Sequence, residues 1–206
     1  MVSAVAGVLT SLVCCGCTRT RVDVSLAAPV VMGDVNAELD FWDALTARPV
    51  VCNDDGLHGL LLFTDGADPS LSYSERVVIA RSRNWIPPDW NEPATLAMQR
   101  GTLARAVAVH CGIEGGVMMR LLGPHPRYAS RELQYLGMMG AGSEQQALSG
   151  REFMGVVSKA QDYLLLREAL ARRASPEEAG ETAAPGEEGP PSPGVAPSAP
   201  PVPSAP

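Results

Sequence analysis

Apolar residues recur at helical spacing in three stretches of the chain that align without gaps. These stretches are CNDDGLHGLLLF (residues 52–63), MQRGTLARAVAV (98–109) and LSGREFMGVVSK (148–159). In each, apolar residues follow one another at offsets of i, i+3 and i+4, which lie on one face of a helix. The aligned positions are Leu57, Leu103 and Phe153, then Leu60, Ala106 and Val156, then Leu61, Val107 and Val157. The pattern predicts three amphipathic helices.

Helix-start signals precede two of these three stretches. Ser149 and Glu152 have the spacing of a capping box, in which the hydroxyl accepts the N3 amide and the carboxylate accepts the cap amide. Asn53 is a favourable N-cap, and the two aspartates after it suit the positive end of the helix dipole. Gln99 is a poor cap. We therefore expect helices that begin at these residues, with the middle start the weakest.

A second helix is predicted before each of these three. The segments are DVNAELDFWDALTARPVV (34–51), SYSERVVIARSRNWI (72–86) and RYASRELQYLGMM (127–139). Each contains a residue that stops a helix, proline by steric exclusion and the other two by tolerating a left-handed backbone. These residues are Pro49, Asn84 and Gly137.

The predicted fold class is all-α, with three helix-loop-helix repeats in residues 34–173. The copies span about 34–63, 72–110 and 126–166. The apolar segment GIEGGVMMRLLG (112–123) lies between the second and third copies, and its run of apolar residues predicts a short buried strand or helix.

The C-terminal residues 174–206 differ from the rest in composition. They contain prolines every few positions, five glutamates, no lysine or arginine and no aromatic residue. Such a segment cannot bury a core, so we expect a disordered tail. The formal net charge of the chain is −7, and most of it resides in this tail. Because no cluster of basic residues is present, nucleic-acid binding is excluded as a function class.

The first 17 residues have the features of an export signal. An apolar run of about a dozen residues, MVSAVAGVLTSLV, matches the length of a signal-peptide core and is too short to span a bilayer, although no positive charge precedes it. The run ends at CCGC, where Gly16-Cys17 resembles the lipobox of bacterial lipoproteins. Cys17 would then carry the lipid, or Cys15 would if the lipobox is aligned two residues earlier. The alternative to lipidation is an ordinary secretory signal that is cleaved off. Residues 18–33 would form a linker.

The repeats resemble the S-layer homology domain, most clearly in LSGREFMGVVSKA and MQRGTLARAVA. The resemblance covers roughly residues 34–166, and it implies a pseudo-threefold helical bundle that binds cell-wall polysaccharide in grooves between copies. It also implies glycan-binding roles for Arg100 and Arg151, for which a solvated charge at a helix start is the alternative. Trp85 and Trp90 could stack on a sugar, or they could fill the core.

Residues typical of catalysis or metal binding do not form recognisable motifs. The three histidines have no protease, hydrolase or nucleotide-binding signature around them, so no catalytic residue, metal ligand or cofactor is predicted. Cys52 and Cys111 could form a disulfide in an exported protein, or they could be two buried thiols.

Together these patterns predict an exported, lipid-anchored envelope protein in the periplasm or at the outer membrane or cell surface. It would be a non-enzymatic binding or scaffolding module whose partner is an envelope polysaccharide or an envelope protein, with the membrane reached through the N-terminal lipid. The alternative is an enzyme accessory or a small hydrolase with a site near the loop from Trp85 to Trp90.

Overall fold

The protein is described by a computed structural model that covers residues 19–28 and 34–174. Secondary structure in this part consists of seven α-helices and isolated β-bridges. The helices are α1 (Val35–Thr46), α2 (Asn53–Asp65), α3 (Tyr73–Ser82), α4 (Arg100–His110), α5 (Val117–Leu122), α6 (Pro126–Tyr135) and α7 (Gly150–Ala174). The all-α prediction is confirmed. The export signal, the lipidation residues Cys17 and Cys15 and the tail from residue 175 lie outside the described residues.

The predicted apolar faces of α2, α4 and α7 form the centre of the core. All nine aligned positions are buried, and they pack in one cluster with residues of α1, α3 and α6. Removing a large aliphatic or aromatic side chain from water contributes about 1.5–3 kcal/mol. Burial of these faces is therefore the main source of stability. The compact unit ends at Arg167 within α7; in the part from Glu168 onward, Arg172 donates to Glu168 at 2.7 Å, one helical turn earlier.

The starts of these three helices agree with the sequence in two cases and differ in one. Ser149 and Glu152 form the predicted capping box, with N–H···O distances of 3.3 and 3.1 Å. Gln99 is the N-cap of α4 and its side chain makes no capping hydrogen bond. The prediction for Asn53 is wrong by one residue. Cys52 is the N-cap, because its backbone is extended and its Sγ accepts from the Asp55 amide at 3.5 Å.

The helices α3 and α6 end as their breaker residues predict. Asn84 and Gly137 have φ angles of 58° and 71°, in the left-handed region. The next residue in each case donates its amide to a carbonyl five residues earlier, at 2.9 Å from Trp85 and 2.8 Å from Met138. This closure turns the chain sharply and directs Trp85 and Met138 into the core.

Three backbone hydrogen bonds join the residues that precede α2, α4 and α7 into a closed ring. The Val51 amide donates to Leu148 at 2.9 Å, the Leu148 amide to Met98 at 3.2 Å, and the Met98 amide to Val51 at 2.8 Å. All three residues are buried. The ring joins residues almost a hundred positions apart, so the starts of the three central helices are fixed together.

Amides in the first turn of the same helices find partners in other segments. Asp54 donates to the Ala94 carbonyl at 3.1 Å, Gly101 to Glu144 at 2.8 Å, and Gly150 to Arg48 at 3.0 Å. First-turn amides have no partner within their own helix, so these contacts satisfy groups that burial would otherwise penalise.

Residues 19–28, predicted as part of a linker, lie against the helical domain; we call them the N-terminal strap. The Val22 amide donates to Thr95 at 2.8 Å, and the Ala97 amide donates to Thr20 at 2.9 Å. The Arg48 guanidinium donates to the Val24 carbonyl at 3.0 Å. The strap is therefore held along its length by backbone and side-chain contacts.

Segment 112–123 forms a helix, as one of the two alternatives predicted, but most of it is not buried. Met119 is the buried residue of α5, whereas Val117, Met118, Leu121 and Leu122 are 53–76% exposed. A single short helix can turn only one narrow face inward. The prediction of a buried segment is therefore wrong for five of the six residues in α5, these four and Arg120.

Candidate functional site

A groove of about 270 Å³ lies between the loop that follows α3 and the start of α4. We call it the Trp groove. Its walls combine two indoles and two prolines with several polar side chains. The lining residues are Trp85, Pro87, Asp89, Trp90, Asn91, Glu92, Gln99, Thr102, Arg105 and Pro126. A small apolar surface with polar groups at its rim is the usual composition of a site for a small polar ligand.

The two tryptophans lie in the core and reach the groove with only a small part of each ring. Trp85 is 2% exposed and Trp90 is 9% exposed. The Trp90 indole donates to the Tyr73 hydroxyl at 2.9 Å, and that hydroxyl donates to the Glu92 carbonyl at 2.9 Å. Burial raises the pKa of Tyr73 to about 12. The indoles therefore form a rigid floor, as the core-filling alternative predicts.

At the polar rim of the Trp groove, Arg105 is held in place by other groups of the protein, whereas the Gln99 side chain is not. Arg105 donates to the carbonyl oxygen of Asn84 at 3.0 Å and to its side-chain oxygen at 2.5 Å, so its position is fixed. Gln99 makes no capping hydrogen bond with its side chain. Its amide, which can both donate and accept, is therefore available to a ligand.

Arg100 is buried, and its guanidinium is used within the protein. It is 4% exposed, and it donates to Glu152 at 2.6 Å and to the Gly140 carbonyl. The interpretation of Arg100 as a solvated charge is wrong, because the guanidinium bridges the start of α4 to that of α7. Arg151 is exposed at the start of α7. The structure does not bring these two arginines into the Trp groove.

A second group of polar residues, absent from the sequence predictions, is buried between α2 and α3; we call it the His58 cluster. Asp68 accepts from His58 Nδ1 at 2.5 Å and from Arg76 Nε at 2.5 Å. Arg76 also donates to Asp54 at 2.9 Å and to the Ser70 carbonyl at 3.1 Å. Burial alone would raise the pKa of Asp68, but hydrogen bonds from His58, Arg76 and Ser70 hold that pKa well below its usual range.

The strap meets the His58 cluster at the start of α2. The Ser25 hydroxyl lies 2.9 Å from Asp54 Oδ2 and 2.6 Å from Asp55 Oδ1, and the Leu26 amide donates to Asp55 at 2.6 Å. The two carboxylates predicted to favour the helix dipole therefore also hold the strap.

The imidazole of His58 has one nitrogen with a partner and one without. Asp68 is ionised and can only accept, so Nδ1 carries the hydrogen. Nε2 is buried and has no hydrogen-bond partner among the described residues. The ring lies edge-on to Phe41, with centroids 4.4 Å apart. One sequence signal could have revealed this cluster. His58 is a polar residue in the first aligned stretch, and the equivalent residues of the other two stretches are the apolar Ala104 and Met154.

Cys52 and Cys111 are both buried as free thiols, so the disulfide considered from the sequence is not formed in the structure. Burial raises the pKa of Cys52 to about 12 and that of Cys111 to about 11. Both sulfurs are therefore in their neutral, weakly nucleophilic form at physiological pH.

Within residues 19–28 and 34–174, no three His, Cys, Asp or Glu side chains come together as a metal site would require. None of the helices in the same ranges combines the length and the hydropathy needed to span a bilayer. Comparison with known proteins found no matching family model, no matching curated protein and no matching solved structure. Function must therefore be inferred from the residues described above.

Proposed function

We propose that this chain is a three-repeat helical module of the bacterial cell envelope that binds envelope glycan without transforming it. The copies would be those predicted from the sequence, related by a pseudo-threefold axis as in the S-layer homology domain. The observation that carries the proposal is the closed ring of hydrogen bonds among Val51, Met98 and Leu148. Each of these residues occupies an equivalent place, two positions before the first residue of its helix, which is Asn53, Arg100 or Gly150.

Two further features support the repeat arrangement. The first-turn amides of α2, α4 and α7 donate to carbonyls in other segments in a cyclic order. The first copy donates to the loop before α4, the second to the loop before α7, and the third to the loop before α2. The nine aligned apolar positions are buried in all three copies. A cyclic order of contacts is what a closed arrangement of three similar units requires.

The Trp groove is the site that we propose for the glycan. A sugar presents hydroxyl groups in a fixed pattern around a partly apolar body. The groove offers an apolar floor of two indoles and two prolines, and polar groups at its rim that can both donate and accept. Because Trp85 and Trp90 are held in the core, the floor needs no ordering on binding, which lowers the entropic cost.

Retention on envelope material tests this proposal. Purified protein is incubated with insoluble cell-wall fractions, and the bound and free amounts are measured. We expect Gln99→Ala to reduce retention about tenfold, because its amide faces the groove without a structural hydrogen bond at the helix cap. Gln161→Ala is the matched control, since Gln161 is exposed on α7 away from the groove lining.

The outcomes separate the proposal from its alternatives. Equal retention of both variants would show that the glycan does not bind in the Trp groove. Failure of the wild type to bind any envelope fraction would overturn the proposal of glycan binding. Release of soluble sugar fragments during the incubation would instead favour the alternative of a hydrolase, or an accessory to one, acting near the loop from Trp85 to Trp90.

Lipidation at Cys17 is the second part of the proposal, and it places the module at a membrane face of the envelope. The support is the resemblance of Gly16-Cys17 to a lipobox. Membrane partitioning of Cys17→Ser tests it, with Cys15→Ser as the matched control. We expect the first variant to move to the soluble fraction and the second to stay with the membrane; the reverse result would assign the lipid to Cys15.

A further inference from the structure

The α5 helix presents an apolar surface that the rest of the described protein does not cover. Val117 is 76% exposed, Met118 53%, Leu121 75% and Leu122 61%. We call these four residues the α5 surface. Four large apolar side chains on a six-residue helix form a contiguous exposed patch, and such patches mark interaction sites.

Nothing in the fold requires these four residues to be apolar. Met119 supplies the contact that fixes α5 to the core, and the Gly116 amide that precedes the helix donates to Glu132 of α6 at 3.2 Å. Gly123, with φ of 78°, ends the helix. The helix is thus held by its ends and by one side chain, while its outer face is turned to solvent.

Basic residues outnumber acidic ones around the α5 surface, which is opposite to the balance of the whole chain. Residues 114–132 contain three arginines and, at the two ends, Glu114 and Glu132, whereas the chain as a whole carries a net charge of −7. The Arg120 side chain on α5 is 67% exposed. It pairs with Glu114 at 3.1 Å, and because both side chains are exposed, this ion pair is weak and a phosphate could replace Glu114 as the partner of Arg120. Arg127 and Arg131 are exposed on α6.

These charges select among the partners that an apolar surface could have. A second copy docking through the same patch would bring like charges together, because a twofold interface places each residue opposite its own equivalent region. An anionic bilayer satisfies both properties at once: its acyl boundary takes apolar side chains, and its phosphates attract arginines.

We propose that the α5 surface inserts into the headgroup region of an anionic lipid bilayer. Val117, Met118, Leu121 and Leu122 would enter the acyl boundary, while Arg120, Arg127 and Arg131 remain at the phosphates. This contact is additional to the lipid anchor proposed above and does not depend on it, since the residues concerned are remote in sequence from the N-terminus.

Fluorescence quenching by brominated lipid tests the insertion in the full chain. Leu121→Trp places a reporter on the α5 surface, and Val78→Trp places one at another exposed apolar position, on α3; the wild-type side chains are 75% and 63% exposed. The signal of the wild-type tryptophans is measured separately and subtracted. Vesicles of phosphatidylcholine are used with and without phosphatidylglycerol. Because the reporter is quenched only where it meets the lipid, binding through the N-terminus does not contribute to the difference.

We expect Leu121→Trp to be quenched in the phosphatidylglycerol vesicles and Val78→Trp to be unaffected. Adding Arg127→Gln and Arg131→Gln to the α5 reporter should weaken vesicle binding through this surface about 25-fold, since each arginine near an anionic surface contributes about fivefold to the affinity. Equal quenching of the two reporters would overturn the proposal. So would association of the protein with itself that Leu121→Ser abolishes, which would make a second copy the partner.

Discussion

The guanidinium of Arg76 lies 2.5 Å from the carboxylate of Asp68, and both side chains are sealed from solvent, at 3% and 0% exposure. Removing one member of a buried ion pair leaves the other charge uncompensated, which costs about 3–5 kcal/mol. Asp68→Asn leaves Arg76 with Asp54 as its remaining carboxylate partner. We therefore expect this variant to lower the free energy of unfolding by about 3 kcal/mol, the lower end of that range, as measured by urea denaturation.

Asp65 provides a matched control three residues earlier. Its carboxylate pairs with Arg83 at 2.6 Å, but both side chains are more than a third exposed. Exposed ion pairs contribute about 0–1 kcal/mol. Asp65→Asn should therefore change the free energy of unfolding by less than Asp68→Asn does; similar losses in the two variants would contradict the role given to the His58 cluster.

The same carboxylate predicts how stability depends on pH. The pKa of Asp68 is held below its ordinary value of 3.8 in the folded protein. Its charge therefore stabilises the fold fully above pH 4, and this contribution is lost as the pH falls below that value. We expect the difference in unfolding free energy between wild type and Asp68→Asn to narrow below about pH 4. A difference in unfolding free energy that stays constant below pH 4 would show that the charge of Asp68 does not stabilise the fold.

Gly150 and Gly155 offer a test of the close contact at the start of α7. A Cβ at residue 150 would overlap the Leu45 carbonyl oxygen, whereas one at residue 155 would meet open space. Forcing backbone apart in a packed region typically costs about 1–3 kcal/mol. Replacing an exposed helical glycine by alanine instead stabilises by about 0.5–1 kcal/mol. Thermal unfolding of Gly150→Ala and Gly155→Ala should therefore shift in opposite directions.

The buried thiols predict slow chemical modification. Cys52 and Cys111 have pKa values raised to about 12 and 11, so few molecules carry a thiolate at pH 8. We expect iodoacetamide to leave the two corresponding peptides unlabelled in the native protein and to label both in urea, as read by mass spectrometry. Rapid native labelling of either peptide would show that its burial is incomplete in solution.

The local parts of the fold could be predicted because they depend on residues close in sequence. The apolar faces of α2, α4 and α7 follow from spacing alone, and the stops at Asn84 and Gly137 follow from backbone conformational preference. The capping box at Ser149 is equally local. The N-cap at Cys52 was missed because asparagine is normally the better cap. Here the side-chain Nδ2 of Asn53 donates instead to the Glu92 carboxylate and to the Pro93 carbonyl.

The long-range features could not be predicted in the same way. Asp68 lies ten positions after His58, and Arg76 lies 22 positions after Asp54. The residues of the His58 cluster meet only because the turn before α3 folds back on α2. Arg100 was assigned to solvent or ligand because its partner, Glu152, belongs to another helix. The exposure of α5 depends on what the remaining helices leave uncovered, which residue spacing alone does not determine.

The N-terminal strap has a consequence for where a lipid anchor would hold the protein. Arg19 pairs with Glu92 at 2.5 Å, and Glu92 lines the Trp groove. Two residues of extended chain reach only about 7 Å, so a lipid on Cys17 would tether the groove almost without slack. The Trp groove would then lie in the layer of the envelope next to the membrane. A glycan could bind there only if it reaches the surface of the bilayer. A lipid on Cys15 would double the length of that tether.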